Sequence, residues 1–396
     1  MTLDHRLLPP ELWLEILLRA VQPSSRESDA HSIEYAPFQP APNDHRDSTL
    51  SVKRTLRLVC RLWRLWTVDV FYRDIKIRHG LQTLSCVLDS SCNQENYGRM
   101  VQRAILPYPS TISGPARTPT LTSIEILRHC TKLEVLVRPR CLLTDALQFD
   151  YEVGCVPLPS LRRLEWWHHT EAERSGGINS LGVVLQHAPN IQHLFIGGVV
   201  GYIQFTNVCL PALRTLRLHV INGLLLHQIV SKWVLPSLTH VVLDSPLVEQ
   251  GLQSVWDGFG QQLEVVEFGK HLRFLMSDHL TTCLRGCPAL QEIGYFIFFT
   301  KAPETFEEHA FITTVRLHSA VNNFLYTAEE VWAILEGHFR FFTQLTSLRR
   351  IILYGEWRGI LSQRRFQEIT QRFRDTQAHV ALELGDGSNV SGCSGS

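Results

Sequence analysis

Three stretches of the chain decide its fold: LPSLRRLEW at 158–166, LPALRTLRL at 210–218 and LPSLTHVVL at 235–243. In each stretch, a proline lies two residues before the first of three apolar residues, and these occupy positions one, four and six of a common core. Side chains alternate between the two faces of a strand, so apolar residues at positions four and six share one face. The pattern predicts a short strand whose apolar positions face a shared interior.

The same core recurs, with weaker copies, between residues 133 and 353. Its anchors are Leu133-Leu136-Arg138, Leu161-Leu164-Trp166, Ile191-Leu194-Ile196, Leu213-Leu216-Leu218, Leu238-Val241-Leu243, Leu263-Val266-Phe268, Leu290-Ile293-Tyr295, Ile312-Val315-Leu317 and Leu348-Ile351-Leu353. The first anchors are 22 (191 to 213) to 36 (312 to 348) residues apart. This period is similar to that of leucine-rich repeats, which implies an α/β solenoid of parallel strands with helical returns. Because no asparagine ladder follows the core, we expect an irregular solenoid.

Helical patterns fill several of the intervals between cores. We expect return helices at 180–187, 224–233, 277–285, 328–342 and 363–374. The longest of these explains the longest gap between anchors.

The N-terminal region has a different texture, with two segments that are apolar at helical spacing. LPPELWLEILLRAV at 8–21 and TLRLVCRLWRLWTVDVFYRDIKI at 55–77 together resemble an F-box. That family combines Leu-Pro, Glu and a hydrophobic helix with a later Val-Cys-x-x-Trp segment. Between the two halves lies a stretch at about 22–49 that is rich in Pro, Ser, Asp, His and Asn, and we expect it to be disordered.

The predicted organisation therefore has three parts. Residues 5–80 form a small helical F-box-like domain with the disordered insert, and 81–384 form the leucine-rich-repeat-like solenoid. Residues 385–396 are a disordered tail.

The resemblance implies a substrate-recognition subunit of an SCF-type cullin–RING ubiquitin ligase. In that family the F-box binds the Skp adaptor, which links it to the cullin–RING ligase, and the repeats bind a target protein. Carried over onto this chain, the adaptor-binding residues are Leu8, Pro9, Glu11, Leu12, Ile16, Leu17, Leu58, Val59, Cys60 and Trp63. The target protein itself is not readable from the sequence.

Side chains between the core positions are expected on the solenoid's concave face, where they could bind the target. They are Arg162, Glu165, Phe195, Arg217, His219, Val242, Glu267, Arg316, Arg349 and Ile352. Their mixture of charge and apolar surface suits a protein partner, although each is more often an ordinary solvated sheet residue than a dominant contact.

Composition argues against several other classes. Lys plus Arg equals Asp plus Glu, at 38 each, and no basic block is present, so neither nucleic acid nor an anionic membrane is expected as partner. The apolar runs are too short to span a bilayer, and ten scattered cysteines predict reduced, mostly buried thiols. We therefore expect a cytoplasmic or nuclear protein.

No cofactor or metal is expected, and the chain is not expected to be an enzyme. His168 with His169 and Cys283 with Cys287 and His279 lack the spacing of a zinc site. P-loop and GxSxG motifs are missing from the sequence. Two alternatives stay open: a repeat scaffold outside any ligase, with a structural helical cap, and an enzyme whose site the sequence does not reveal.

Overall fold

The computed structural model describes residues 8–21, 33–42, 49–77, 82–89, 96–107, 123–140, 154–198, 207–219, 223–244, 249–269, 278–303, 309–320, 327–388 and 390. Within these ranges the fold is mixed α/β, with a twelve-stranded parallel sheet and helices. The chain divides into two compact units, residues 1–195 and 196–396. None of the helices in these ranges combines the length and apolar content that crossing a bilayer requires.

In the first unit, four strands pair in parallel in chain order. They are β1 (Asp74–Lys76), β2 (Arg103–Ile105), β3 (Val135–Arg138) and β4 (Arg163–Trp167), and β5 (His193–Gly197) begins in this unit. The helices of the first unit are α1 (Pro10–Ala20), α2 (Leu50–Val59), α3 (Arg61–Trp66), α4 (Val68–Tyr72), α5 (Gln82–Leu88), α6 (Ser123–Leu127), α7 (Thr170–Ser175) and α8 (Leu181–His187).

In the second unit, parallel pairing again follows chain order. Its main strands are β7 (Thr215–His219), β9 (His240–Leu243), β10 (Val265–Phe268), β11 (Glu292–Phe296), β12 (Thr314–His318), β13 (Arg350–Tyr354) and β14 (Ala381–Leu384). A separate short pair joins β6 (Val208–Cys209) to β8 (Trp233–Val234). The helices are α9 (Gly223–Lys232), α10 (Glu249–Phe259), α11 (His279–Gly286), α12 (Ala328–Phe342), α13 (Arg358–Leu361) and α14 (Arg364–Thr376).

The nine predicted cores all form strands, and every one of their anchors is at most 2% exposed. Paired strands align these anchors: Leu216 lies beside Val241, and Val241 beside Val266. All five predicted return helices are present, with ends shifted by no more than two residues. The prediction of parallel strands with helical returns is therefore confirmed. The finer assignment to leucine-rich repeats stays a prediction.

One anchor is an arginine, and its surroundings explain how the core accepts it. Arg138 is fully buried, and its guanidinium lies over the Trp166 ring, 5.1 Å from the ring centroid. It donates hydrogen bonds to the Pro107 carbonyl at 2.9 Å and to Asn179 Oδ1 at 2.5 Å. A buried charge is tolerated when its donors are paired in this way.

Helix α12 carries a second buried polar network. A capping box between Thr327 and Glu330 starts the helix. Further along, the His338 ring donates from Nε2 to the Thr300 carbonyl at 2.9 Å, and its Nδ1 accepts from the Tyr295 hydroxyl at 3.0 Å. Burial lowers the pKa of His338 to about 4, although its backbone hydrogen bonds oppose the shift. The imidazole is therefore neutral inside the folded chain at pH 7.

Some elements were not predicted. Strands β1, β2 and β14 have only three or four residues and lack the proline lead-in, and α10 was also missed. The predicted disordered tail is wrong for residues 385–388, because a turn returns the chain so that Leu384 N donates to Ser388 O at 2.8 Å. Residues 389 and 391–396 of that tail lie outside the described residues.

Candidate protein-binding surfaces

Helix α1 presents two different apolar faces. Pro9 is its N-cap and Pro10 its first residue, where a proline lacks only an N–H that would be unpaired anyway. Leu17 is only 3% exposed and faces the interior. Leu12 and Ile16, one turn apart, are 49% and 46% exposed. The helix therefore packs through the Leu17 stripe and leaves Leu12 and Ile16, together with Leu14 and Leu18 on another side, exposed.

The second half of the predicted F-box also leaves apolar residues uncovered. Helix α2 ends at Val59, because Cys60 adopts an extended backbone, and α3 then starts with the Cys60 sulfur accepting from Trp63 N at 3.4 Å. This break leaves Leu58 86% exposed, and Val59, Leu62 and Leu65 are exposed as well.

The two halves meet through an aromatic pair. The rings of Trp13 in α1 and Trp63 in α3 lie 5.3 Å apart and are tilted by 51°. Their contact bridges the insert that separates the halves in sequence. Arg57 adds a further link within the second half, with its guanidinium 4.3 Å from the centroid of the Phe71 ring. These contacts give the helical region a small core of its own.

Exposed apolar side chains concentrate in this region. Among the described residues, twelve large hydrophobic side chains are exposed, and ten of them lie between residues 8 and 65. The other two, Val234 and Phe311, are far from these ten in sequence. Single exposed apolar residues are ordinary, but their concentration in one short part of the chain favours an interaction surface. We refer to Leu8, Leu12, Ile16, Leu58, Val59, Leu62 and Leu65 as the apolar face.

The predicted adaptor-binding residues divide by exposure. Leu8, Pro9, Glu11, Leu12, Ile16, Leu58, Val59 and Cys60 are exposed. Trp63 is half-buried against Trp13, and Leu17 is buried. Leu17 is buried, so its side chain is not part of the accessible surface to which it was assigned. It belongs to the core stripe because it lies one turn beyond Trp13.

Most predicted concave-face residues are not on an open surface. Arg162 and Arg349 are exposed and Arg316 is half-buried, as a target-binding role needs. The structure buries Glu165, Phe195, Arg217, His219, Val242, Glu267 and Ile352. These seven side chains are therefore not accessible in the structure as it stands, although a parallel sheet is normally buried on both faces and burial alone does not identify what covers them.

Several of these buried charged side chains form ion pairs, which neutralise their charges. In the first unit, Arg163 pairs with Glu165, two residues along β4, at 2.6 Å. In the second unit, Arg217 donates to Asp244 at 2.5 Å, and His219 lies 3.7 Å from the same carboxylate. Burial raises the pKa of Asp244, but the Arg217 guanidinium and hydrogen bonds from His219 and Arg217 bring it below its usual value. Asp244 is therefore ionised in the folded chain.

The predicted disorder of the insert is wrong for residues 33–42, which lie against β4. The Trp167 indole N–H donates to the Pro42 carbonyl at 2.5 Å, and Arg163 Nη1 reaches the Glu34 carbonyl at 3.5 Å. Gln39 is buried, although composition had indicated a solvated loop. The three prolines of the segment were the missed signal, since they lower the entropy lost on docking. Residues 22–32 and 43–48 of the insert lie outside the described residues.

The histidine pair His168–His169 and the cysteine pair Cys283–Cys287, which were considered as possible metal ligands, include buried side chains. Burial, followed by repulsion from His169, lowers the pKa of His168 to about 4. Cys283 in α11 and Cys287, which directly follows the helix, are both fully buried. Within the described ranges, no group of three or more His, Cys, Asp or Glu residues is placed to hold a metal ion.

Comparison with known proteins adds no family to this picture. The chain matches no protein-family model, and no curated protein matches it significantly.

Proposed function

We propose that the chain is a substrate-recognition subunit of an SCF-type cullin–RING ubiquitin ligase, in which the apolar face binds a Skp-type adaptor and the strand-and-helix repeats bind a target protein. The observation that carries the proposal is the clustering of exposed apolar side chains on α1, α2 and α3. These are the segments whose sequence resembles an F-box.

The arrangement of the two halves supports the proposal. A split F-box needs its halves side by side, and the contact between Trp13 and Trp63 provides this across the insert. The burial of Leu17 and the exposure of Ile16 leave α1 able to pack on one side and bind on the other. In this role the chain supplies proximity: it holds a target near the ligase and raises the effective concentration of the target.

Co-purification with a Skp-type adaptor tests the proposal. The full chain is expressed with the adaptor, and the Kd is measured for wild type and for the double variant Leu12→Glu/Ile16→Glu. A buried charge at the centre of an apolar interface costs about 2 kcal/mol or more, so we expect binding at least about 30-fold weaker. The matched controls are Val234→Glu and Phe311→Glu, which place the same charge on exposed apolar positions of the second unit.

The outcomes distinguish the ligase subunit from a scaffold with a structural helical cap. Adaptor binding that is lost in the double variant and kept in both controls supports the proposal. If wild type does not bind the adaptor, or if the double variant binds as well as wild type, the proposal fails. A double variant that unfolds would instead favour the alternative of a structural cap on a scaffold outside any ligase.

A further inference from the structure

Residues 33–42 occupy a defined place on the first unit, over the face of β4 that carries Arg163, Glu165 and Trp167. Two of its contacts with β4 lie at opposite ends of the segment: Arg163 donates to the Glu34 carbonyl, and Trp167 donates to the Pro42 carbonyl. In both cases the strand supplies the donor and the segment supplies a backbone carbonyl. Hydrogen bonds to backbone carbonyls depend on the course of the peptide backbone and not on the identity of its side chains.

On β4, the side chain at the centre of the contact with residues 33–42 is Trp167. The Phe195 ring meets the Trp167 ring edge-on, with centroids 5.2 Å apart, and the Arg140 guanidinium lies 5.3 Å from the Trp167 centroid. Arg163 is fixed by its ion pair with Glu165, whose side chain is 3% exposed. An indole with a paired N–H, flanked by an aromatic ring and by one guanidinium, is a surface suited to a proline-rich peptide.

The segment has the matching composition. Its sequence, IEYAPFQPAP, contains three prolines, Pro37, Pro40 and Pro42, which have no backbone N–H and offer only carbonyls. Fixed φ angles also mean that little entropy is lost when such a peptide is ordered. These are the features that aromatic-lined grooves use to select proline-rich ligands.

The docked conformation includes a strained residue. Gln39 N donates to the Ala36 carbonyl at 3.1 Å, which closes a turn with Pro37 and Phe38 at its centre. Phe38 has φ of 56°, the one positive φ of a residue other than glycine in the described ranges. A bulky side chain disfavours this region, where a turn with proline in the preceding position normally has glycine. The strain lowers the stability of the docked state, so the segment can be displaced.

We propose that the face of β4 bearing Arg163, Glu165 and Trp167 is a binding site for proline-rich peptides, and that residues 33–42 are its tethered occupant. A peptide of a partner protein binds there by displacing the segment. The site is separate from the apolar face, and it does not depend on adaptor binding. The rival interpretation is that residues 33–42 are a permanent tie between the helical region and the sheet.

Peptide binding in trans separates the two readings. The full chain is compared with a linker variant in which ten glycine and serine residues replace residues 33–42. The probe is a fluorescein-labelled synthetic peptide of residues 33–42, followed by fluorescence anisotropy. We expect the linker variant to bind it, and wild type to bind at least about tenfold more weakly, because the tethered segment competes at an effective concentration on the order of millimolar.

Two controls define what is recognised. Adding Trp167→Phe to the linker variant keeps an aromatic ring and removes the N–H donor, so peptide affinity falls about three- to tenfold. A peptide with its three prolines replaced by alanine binds more weakly to the linker variant. The Trp167→Phe substitution leaves adaptor co-purification unchanged, so failure of this proposal is distinguishable from failure of the proposed function.

A folded linker variant that binds the peptide no better than wild type overturns the proposal. If the linker variant does not fold, hydrogen exchange of wild type decides the matter. The Gln39 amide is protected by its bond to Ala36, and millimolar peptide should accelerate its exchange by opening the turn. Unchanged exchange at that concentration establishes a permanent tie.

Discussion

Alanine substitutions along α1 should separate its packed face from its binding face. Leu17 is 3% exposed, and truncating a buried leucine costs about 2–5 kcal/mol of unfolding free energy through lost burial and a cavity. Ile16 is 46% exposed, so Ile16→Ala removes about half of the burial term of roughly 1.5–3 kcal/mol and leaves no enclosed cavity. We therefore expect Leu17→Ala to cost at least twice as much as Ile16→Ala, which should stay near or below about 1 kcal/mol.

The assay is urea denaturation of the two variants and wild type, followed by far-UV circular dichroism and by tryptophan fluorescence. A lower midpoint at an unchanged slope reports a change in stability alone. The Trp13–Trp63 pair provides an optical probe close to both sites. A cost of 2 kcal/mol or more for Ile16→Ala would refute the reasoning, because Ile16 would then be packed in solution and unavailable to a partner.

Two further predictions concern buried polar groups. Asp244→Asn leaves the Arg217 guanidinium buried without its carboxylate and should destabilise the chain by about 3–5 kcal/mol in urea, whereas Arg217→Met combined with Asp244→Leu should be close to neutral. His338 has a folded pKa of about 4, below its ordinary value of 6.5, so its contribution to stability is fully present above pH 6.5 and falls as the pH drops towards 4. The loss is about 2 kcal/mol by pH 5, and His338→Phe should flatten that part of the stability–pH curve measured by urea denaturation.

The strands could be predicted well from the sequence because up to three independent signals indicate the position of a repeat. A proline lead-in, an apolar core at fixed spacing and a helical return agree at most copies, and agreement between independent local signals specifies a fold. Even Arg138 was found by position, although its residue type contradicts the pattern. Strand β14 has no such lead-in and carries Glu383 between its apolar residues, so the sequence offered little to identify it as a strand.

The binding surfaces were harder to predict, for a physical reason. Alternation shows which strand residues share a face, but it does not show what covers that face. Arg217 and Glu165 have the composition of an exposed strand face, yet each is buried beside a partner of opposite charge. Such partners are 27 residues apart in one case and two in the other, so spacing alone could not reveal them. On α1 the apolar spacing predicted a helix but did not show that Leu17 faces inward while Ile16 is exposed.

The distribution of polarity on the first unit supports both proposals together. A globular chain normally buries its apolar side chains and exposes its charges. Here the apolar face is uncovered, with Leu58 86% exposed, while Arg163 and Glu165 are buried and Arg163 contacts the Glu34 carbonyl. The uncovered apolar residues would gain from a partner, since burying each would contribute roughly 1 kcal/mol or more.

The covered face needs no further partner for stability, so a peptide can bind there only by replacing the contacts that Pro42 and Glu34 already make. Adaptor binding should therefore stabilise the chain against unfolding, whereas peptide exchange on β4 should leave its stability nearly unchanged.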